Sequence, residues 1–194
     1  MQVAEASESI GEQPTPIARP PLKWAGGKRW QLPHVRPLWR RQGENVRLVE
    51  PFCGGLAIAL GLAPSRALLN DINPHVITFY RRLKRGLRVS IEMANESELY
   101  YKHRTRFNAL LAAGRGDSNE AASLFYYLNR TGYNGLCRFN RSGEFNVPFG
   151  RYKTIAYTTD FAAYRQAFAG WDFTNQDFAS LALEPTDFIY ADPP

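Results

Sequence analysis

Three short segments of the sequence have the residue types of a ligand site, and each follows an apolar run. The first is Glu50–Gly55 (EPFCGG), where an apolar run opens into a glycine-rich turn. Such a turn lets a ligand lie close against backbone amides at the end of a strand. The G-x-G-x-x-G pattern is absent, and Lys28 in WAGGKRW is followed by arginine, which excludes the phosphate-binding P-loop. A tight structural turn explains the segment equally well.

Two acidic residues strengthen the interpretation of this turn as a binding site. Asp71 follows the next apolar run, near the spacing of about 20 residues at which nucleoside-binding βαβ units hold ribose hydroxyls. Asp192 follows a third apolar run and precedes two prolines. Because parallel strands end at one edge of a sheet, Gly54, Asp71 and Asp192 are predicted to face one crevice. The alternatives are a helix cap at Asp71 or Asn73 and a proline-rich strand end.

A different chemistry is indicated by the segment from Arg130 to Lys153. It carries five basic side chains and one acidic side chain, interleaved with five aromatic rings. Cations that neutralise phosphates, together with rings that stack on bases, are typical of a nucleic-acid-binding surface. The net charge of the chain is +6, and most of it is concentrated in this segment. A solvated basic loop is the alternative.

The elements that would position these residues predict an α/β fold. Strands are expected at about 46–50 and 67–69, each followed by a turn and a helix. Strand, glycine turn, helix and strand form a βαβ unit, which implies a parallel sheet. We therefore predict a doubly wound, Rossmann-like sheet with an inserted helical and β-hairpin segment.

The predicted insertion has two parts. Residues 91–129 are expected to be mainly helical, with Asp117 and Glu120 as a capping-box-like pair at a helix start. The segment YNGLCRFNRSGEFNVPFG, which begins at Tyr133, predicts strand, turn and strand. Its turn is expected at Ser142–Gly143. The resulting domain plan is a flexible tail at 1–20, one domain formed by 21–89 and 154–194, and an insertion at 90–153.

Several classes of protein are excluded by composition. The chain has two cysteines and three histidines without metal-binding spacing, so no metal site is expected. No run approaches the ~20 apolar residues of a membrane span, so no membrane partner is expected. The first residues contain three glutamates and no basic residue before Arg19, which is unlike a signal peptide and indicates a cytoplasmic protein.

Five motifs, in order along the chain, carry a family resemblance: LKWAGGK, EPFCGG, NDIN, YLNRTGYNGLCRFNRSGEFNVPFGRYK and DPP. Together they resemble the Dam-type, α-class DNA adenine-N6 methyltransferases, from Leu22 to Pro194. The resemblance implies transfer of a methyl group from S-adenosylmethionine (AdoMet) to N6 of adenine in double-stranded DNA, often within GATC. The target base must leave the helix to reach the reacting pocket. A cognate restriction endonuclease is a further partner that the resemblance allows.

The resemblance also implies the residues of the site. Lys28 is expected near the methionine carboxylate, Asp71 at the ribose diol, and Asp177 and Phe178 at the cofactor's adenine. Asp192 and the Pro193 carbonyl would accept hydrogen bonds from the adenine amine. The implied cofactor-binding residues are Trp24, Lys28, Pro51, Phe52, Gly54, Asp71, Asp177, Phe178 and Asp192. The implied catalytic residues are Asp192, Pro193 and Pro194.

The resemblance places DNA recognition on the hairpin. Arg138 is expected to read a guanine by bidentate hydrogen bonds, and Tyr133, Leu136 and Pro148 to supply wedge and apolar contacts. Phosphate contacts are expected from three further basic residues. The implied DNA-binding residues are Arg130, Tyr133, Asn134, Leu136, Arg138, Pro148, Arg151 and Lys153.

The chain departs from the family pattern at its end. The family motif is DPPY or a close aromatic variant, whereas the sequence stops at the second proline, Pro194. Without that aromatic residue, we expect that this chain does not complete the reaction alone. The competing hypothesis is an inactive remnant that binds DNA or AdoMet without catalysis. An RNA or protein methyltransferase with the same α/β core is a third hypothesis, which the basic hairpin disfavours.

Overall fold

The computed structural model describes residues 19–43 and 45–193, so most of the predicted tail, and Pro194, lie outside the described residues. The helices are α1 (Leu32–Arg40), α2 (Ala57–Leu62), α3 (Pro74–Lys84), α4 (Ser97–Ala112), α5 (Asn119–Thr131) and α6 (Ala162–Ala167). The strands are β1 (Arg47–Glu50), β2 (Arg66–Asn70), β3 (Trp171–Thr174) and β4 (Phe188–Ile189).

All four strands lie in one parallel sheet with the order β3-β2-β1-β4. Leu48 on the central strand β1 lies opposite Ala67 of β2 and Phe188 of β4. Leu48 and Val49 are fully buried, as expected for a parallel sheet whose faces are covered by helices. The predicted Rossmann-like α/β fold is therefore confirmed.

A charged cluster fixes how the chain enters β4. The Arg47 guanidinium donates to both carboxylate oxygens of Asp187, over 2.9 and 2.7 Å, and also pairs with Glu184. This bidentate partner lowers the pKa of Asp187. Because Asp187 directly precedes β4, the pair sets the register of the strand that leads to Asp192.

The inserted helices share the core of the sheet domain. Helix α5 packs against α3 and α4, and its buried rings join the hydrophobic cluster that also covers the sheet. Phe79 of α3 stacks on Tyr126 of α5 with ring centroids 5.4 Å apart. The proposed division into a domain and an insertion at 90–153 stays a prediction, since one core runs through both parts.

The predicted cap of α5 is wrong by one residue. Ser118 is the N-cap, and its hydroxyl accepts a hydrogen bond from the Ala121 amide over 3.1 Å. Glu120 does not reach back to the cap; its carboxylate instead binds the Arg106 guanidinium of α4. Aspartate and serine are both good N-caps, so the sequence alone does not decide between Asp117 and Ser118. The backbone conformation selects Ser118.

The hairpin follows the predicted path without forming the predicted strands. Its two arms meet at isolated antiparallel bridges, one of which joins Phe139 to Phe145. The Asn108 side chain of α4 binds both the N–H and the C=O of Phe145, which point away from the opposite arm. The turn lies where expected, and the Asn140 side chain accepts hydrogen bonds from the Ser142 and Glu144 amides.

Candidate functional site

A cavity of about 430 Å³ opens at the carboxyl edge of the sheet, within the size range of small-molecule sites. It lies between the ends of β1, β2 and β4 and the segment that precedes α1. The residues that line it include Trp24, Lys28, Glu50, Phe52, Cys53, Gly54, Asp71, Ile72, Asn73, Cys137, Tyr190, Asp192 and Pro193. The structure therefore brings Gly54, Asp71 and Asp192 together, as the ends of parallel strands require.

The glycine turn is locked by Asp71. One carboxylate oxygen of Asp71 accepts from the Gly54 amide and the other from the Asn73 amide, each over 2.9 Å. Burial raises the pKa of Asp71, and these two amide hydrogen bonds oppose the rise. Gly54 has a positive φ of 43°, and a β-carbon there would lie 2.5 Å from Trp24 Nε1. The turn therefore needs glycine for both its conformation and the space taken by Trp24.

The helix after Asp71 starts with its own cap. Asn73 is the N-cap of α3, and its side-chain oxygen accepts from the His75 and Val76 amides. Pro74 occupies the first helical position, as the sequence predicts. The cap role therefore belongs to Asn73, while the Asp71 carboxylate lines the cavity.

Glu50 is a cavity residue that the sequence interpretation did not single out. Its side chain is buried, it lines the cavity, and its Oε1 atom has no hydrogen-bond partner. Burial raises the pKa of Glu50 to about 8, and the nearby Asp192 charge adds to this shift. An acid at the end of a buried strand was the available signal. The structure shows that this acid lines the cavity, with a hydrogen bond from the Ala59 backbone and one oxygen left without a partner.

Lys28 and Asp192 form an ion pair across the cavity. Lys28 Nζ lies 2.7 Å from a carboxylate oxygen of Asp192, and both side chains are about one-third exposed. The resemblance implies that Lys28 binds the cofactor carboxylate, whereas the catalytic role of Asp192 is at the amine of the target adenine.

Tyr190 is a second cavity residue that the sequence interpretation missed. It lines the cavity and donates a hydrogen bond to Gln31 Oε1 over 2.6 Å.

Three of the expected cofactor residues do not line this cavity. Phe178 is exposed and packs against Phe52 at its rim, with ring centroids 5.3 Å apart. Asp177 caps a short 3₁₀ turn through the Ala179 amide. Pro51 is buried, and its carbonyl accepts a hydrogen bond from the Asn70 side chain. Their roles toward a cofactor stay predictions, although Pro51 lies between the lining residues Glu50 and Phe52, and Phe178 packs on Phe52.

The hairpin begins at the cavity wall. Cys137 lines the cavity, and its sulfur lies 3.2 Å from the side-chain nitrogen of Asn73. Burial raises the pKa of Cys137 to about 12, so this thiol is neutral at physiological pH. Neither Cys137 nor Asn73 was among the expected site residues. Their contact joins the basic hairpin directly to the edge of the sheet.

Most of the expected DNA-binding residues lie on the exposed part of the hairpin. The Tyr133 amide donates to the Pro148 carbonyl over 2.9 Å, which brings these two residues together. Leu136 is half-buried beside them, and Asn134 has a positive φ of 51°. The exposed members of the set are Tyr133, Asn134, Arg138, Pro148, Arg151 and Lys153.

Two arginines of this set form hydrogen bonds within the protein. Arg138 Nε donates to the Asn146 side chain over 2.9 Å, which orients an otherwise exposed guanidinium. Arg130 donates to the Ala156 carbonyl, and its buried Nε has no partner. Arg130 is therefore not grouped with the exposed cations, and its expected phosphate contact stays a prediction.

A buried amide clamps the segment that carries Trp24 and Lys28. Asn129 of α5 accepts from the Lys23 N–H and donates to the Lys23 carbonyl, both over 2.7 Å. Asn129 is almost fully buried, so these bonds are shielded from water. The inserted helix and the wall of the cavity are thereby tied together.

We expect Asn129→Leu to destabilise the protein by about 2 to 4 kcal/mol, because the N–H and C=O of Lys23 lose the partners that this buried side chain supplies. Urea denaturation monitored by circular dichroism measures this change. Asn119→Leu, at an exposed position of the same helix, is the matched control and should cost less than 1 kcal/mol. Equal effects of the two substitutions would contradict the clamp.

No group of three His, Cys, Asp or Glu side chains in residues 19–43 and 45–193 is arranged to hold a metal ion. In the same part of the chain, every helix is too short or too polar to cross a bilayer.

A parallel sheet in this strand order, with a cavity at its carboxyl edge, places the protein among the Rossmann-like α/β proteins that bind ligands at the ends of their strands. Residues 24–194 match the family described as D12 class N6 adenine-specific DNA methyltransferase. The chain belongs to this family.

Curated relatives support the same assignment. The chain is 38% identical to the DNA adenine methylase of Escherichia coli K12, over 89% of this chain and 63% of that protein. It is 36% identical to the DNA N-6-adenine-methyltransferase of Escherichia phage P1, over 98% of this chain and 26% of that protein. A Vibrio cholerae DNA adenine methylase is also 36% identical, with 64% of its length covered. The chain therefore spans less than two-thirds of the length of these relatives.

Proposed function

We propose that this protein transfers a methyl group from AdoMet to N6 of adenine in duplex DNA, within GATC or a related site, after flipping the base. The observation that carries the proposal is one cavity shared by the Asp71-locked glycine turn, Asp192 and the base of the basic hairpin. Cofactor, acceptor and DNA-binding functions would then meet within one site. The family membership and the names of the relatives support this proposal.

The cavity suits a cofactor that carries both an ammonium group and an apolar ring. The unpartnered Glu50 Oε1 offers an acceptor for the ammonium of the methionine part. Asp71 lines the cavity with oxygens that retain lone pairs for ribose hydroxyls. Exposed Ile72 and the Phe52–Phe178 pair offer apolar surface for the adenine. When bound, AdoMet supplies a methyl group on a positively charged sulfur.

Asp192 is the residue placed to activate the acceptor amine. The N6 lone pair is delocalised into the adenine ring, which makes this nitrogen a weak nucleophile. The Asp192 carboxylate and the Pro193 carbonyl would each accept an N6–H bond and draw the nitrogen toward a nucleophilic geometry. As positive charge develops on N6, the fixed carboxylate stabilises it and can hold the departing proton. Close positioning of the two reactants supplies much of the remaining acceleration.

The Lys28–Asp192 pair has a direct consequence for this chemistry. While Lys28 Nζ lies 2.7 Å from Asp192, it competes for the oxygen that the target amine would use. A cofactor carboxylate near Lys28 would give this ammonium another anionic partner. Asp192 would then be free to accept the amine. Lys28 would therefore serve both the cofactor and the release of the acceptor.

The extruded adenine would enter from the side of the hairpin. Cys137 connects the hairpin to the cavity wall, while Tyr133 and Pro148 lie exposed beyond it. Apolar and aromatic side chains of this kind can separate base steps while basic neighbours hold the phosphates. Because Cys137 and Asp192 line the same cavity, a base extruded beside the hairpin would enter the pocket that holds Asp192.

A duplex with one GATC site and radiolabelled AdoMet tests the proposed activity directly. Label at N6 of adenine in GATC, and none in a duplex with GATC scrambled, is the result that supports the proposal, and it would overturn the expectation from the sequence that this chain does not complete the reaction alone. Binding of DNA and AdoMet without incorporation would instead assign the chain to the inactive-remnant hypothesis. Incorporation into RNA or protein, but not DNA, would contradict the proposed substrate.

Arg138→Ala is expected to weaken binding to a GATC duplex by about 1 to 3 kcal/mol and to relax discrimination against altered sites. The reason is the loss of a bidentate guanine contact from a guanidinium that Asn146 orients. Fluorescence anisotropy with GATC and single-substitution duplexes measures both effects. Arg141→Ala, on the exposed turn of the same hairpin, is the control and should weaken all duplexes uniformly or not at all. Unchanged discrimination in Arg138→Ala would contradict base recognition.

A further inference from the structure

A second concentration of positive charge lies far from the cavity, at the end of α3. The segment RRLKRGLR, which begins at Arg81, contains five basic residues and no acid. Two of them bind backbone carbonyls of β3: Arg81 donates to the Phe173 carbonyl and Lys84 to the Trp171 carbonyl. A third, Arg82, lies 3.8 Å from Asp117. Arg85 and Arg88 remain exposed and without a carboxylate within ion-pair distance in the described part of the chain.

A third guanidinium joins these two from another element. Arg165 of α6 is exposed, and its Nη1 lies 3.6 Å from where a β-carbon on Gly86 would be. Arg88 and Arg165 line a cleft of about 380 Å³ between the end of α3 and the start of α6. We call Arg85, Arg88 and Arg165 the distal basic surface. Asp160 also lines this cleft, but its carboxylate accepts from the Ala162 amide.

Helix capping explains only part of this charge. Cations near the last turn of α3 complement its dipole, which accounts for Arg82, Lys84 and Arg85. Arg88 lies beyond the helix and Arg165 lies on α6, so neither position is explained by that dipole. Like charges that face one cleft repel each other unless an anion lies between them. The arrangement is therefore better suited to an anionic partner than to the isolated protein.

The distal basic surface is separate from the proposed methylation site. Helix α3 starts beside the cavity, after its N-cap Asn73, and ends at Lys84, before its C-cap Arg85; its 11 residues span about 16 Å. Lys84 contacts Trp171, the first residue of β3, which marks the amino edge of the sheet. The two sites thus lie at opposite edges of the sheet.

We propose that the distal basic surface binds the phosphate backbone of duplex DNA that flanks the methylation site. This inference rests on the proposed function, which brings a long polyanion to the protein. Guanidinium groups bind phosphate oxygens bidentately, and an open cleft admits a backbone from the side. Contacts of this kind give affinity without sequence information, so they would hold the enzyme on DNA around its target.

The test compares two duplexes, each with one GATC site, of about 14 and about 40 base pairs. The triple variant Arg85→Gln, Arg88→Gln, Arg165→Gln should match the parent within twofold on the short duplex. On the long duplex it should bind about tenfold more weakly near physiological salt. Its salt dependence there should fall by about 2 to 3 in log–log slope, since three phosphate contacts are lost.

A matched triple variant controls for net charge. Arg40→Gln, Arg41→Gln, Arg115→Gln removes the same charge from exposed positions elsewhere and should retain parental affinity for both duplexes. Parental binding of the long duplex by the distal variant would overturn the proposal, as would an equal loss on both duplexes or an equal loss in the control. Stronger competition by long duplex RNA than by long DNA would also overturn it. Failure of the parent to bind the short duplex would instead count against the proposed function.

Discussion

Asp192→Asn is expected to lower the rate of methyl transfer about 10²- to 10³-fold, with AdoMet and DNA at saturating concentrations. Asparagine keeps the shape of the side chain but loses the charge that would stabilise the developing positive nitrogen. Its amide can also present a donor where the reaction needs an acceptor. Quantification of N6-methyladenine over time measures the rate, and the loss should be in the chemical step.

Binding measurements separate this effect from damage to the fold. Asp192 pairs with Lys28 while about one-third exposed, so loss of that pair should change stability by less than about 1 kcal/mol. DNA affinity of Asp192→Asn should stay within threefold of the parent. Asp172→Asn, an exposed acid on β3, is the control and should retain the parental rate. A parental rate in Asp192→Asn would remove Asp192 from the mechanism.

Glu50→Gln is expected to stabilise the protein by about 3 to 5 kcal/mol above pH 8. The pKa of Glu50 is raised to about 8 by burial, so the folded protein favours the protonated side chain. The stabilisation that this proton gives is fully present below the ordinary pKa of 4.5 and is lost as the pH rises to 8. Above that pH the parent carries a buried charge, whereas glutamine stays neutral.

Urea denaturation from pH 5 to pH 9 measures the effect as a free energy of unfolding. The parent should lose stability across this range, and Glu50→Gln should remove most of that loss. Glu98→Gln, at the exposed start of α4, should leave the pH dependence of the parent unchanged. A parallel pH dependence for Glu50→Gln and the parent would contradict the assignment of the titration to Glu50.

The same substitution should weaken AdoMet binding about tenfold, because glutamine keeps an oxygen at this position but cannot ionise to pair with the cofactor ammonium. Isothermal titration calorimetry at pH 7.5 measures this affinity. Glu50→Gln is therefore expected to make the protein more stable and to bind AdoMet less tightly. This combination is typical of a binding site in which a buried polar group is kept for function at a cost in stability. Parental AdoMet affinity in Glu50→Gln would contradict this role while leaving the stability prediction intact.

The fold and the position of the cavity could be predicted because their signals are local. Apolar runs interrupted by a glycine turn or an acid mark the ends of β1, β2 and β4. Parallel pairing then places Gly54, Asp71 and Asp192 at one edge of the sheet. The hairpin turn was also predictable, because asparagine, serine and glycine favour tight turns.

Details that depend on partners distant in the chain could not be predicted. Asn108 of α4 binds the backbone of Phe145 from outside the hairpin, and the two arms meet at isolated bridges where alternation in the sequence indicated strands. The cap of α5 moved from Asp117 to Ser118 because the geometry of the chain, and not propensity, selects between neighbouring cap formers. Neither outcome is fixed by local propensity alone.

The sequence by itself determined a parallel α/β sheet, the acids at its carboxyl edge and a basic, aromatic hairpin, because each follows from the period and type of nearby residues. Only the tertiary structure decided how these groups are used. It paired Lys28 with Asp192, left Glu50 Oε1 unpartnered and joined Asn129 to Lys23 across 106 residues. Such outcomes depend on which polar groups meet in a low-dielectric interior, and sequence spacing does not encode that geometry.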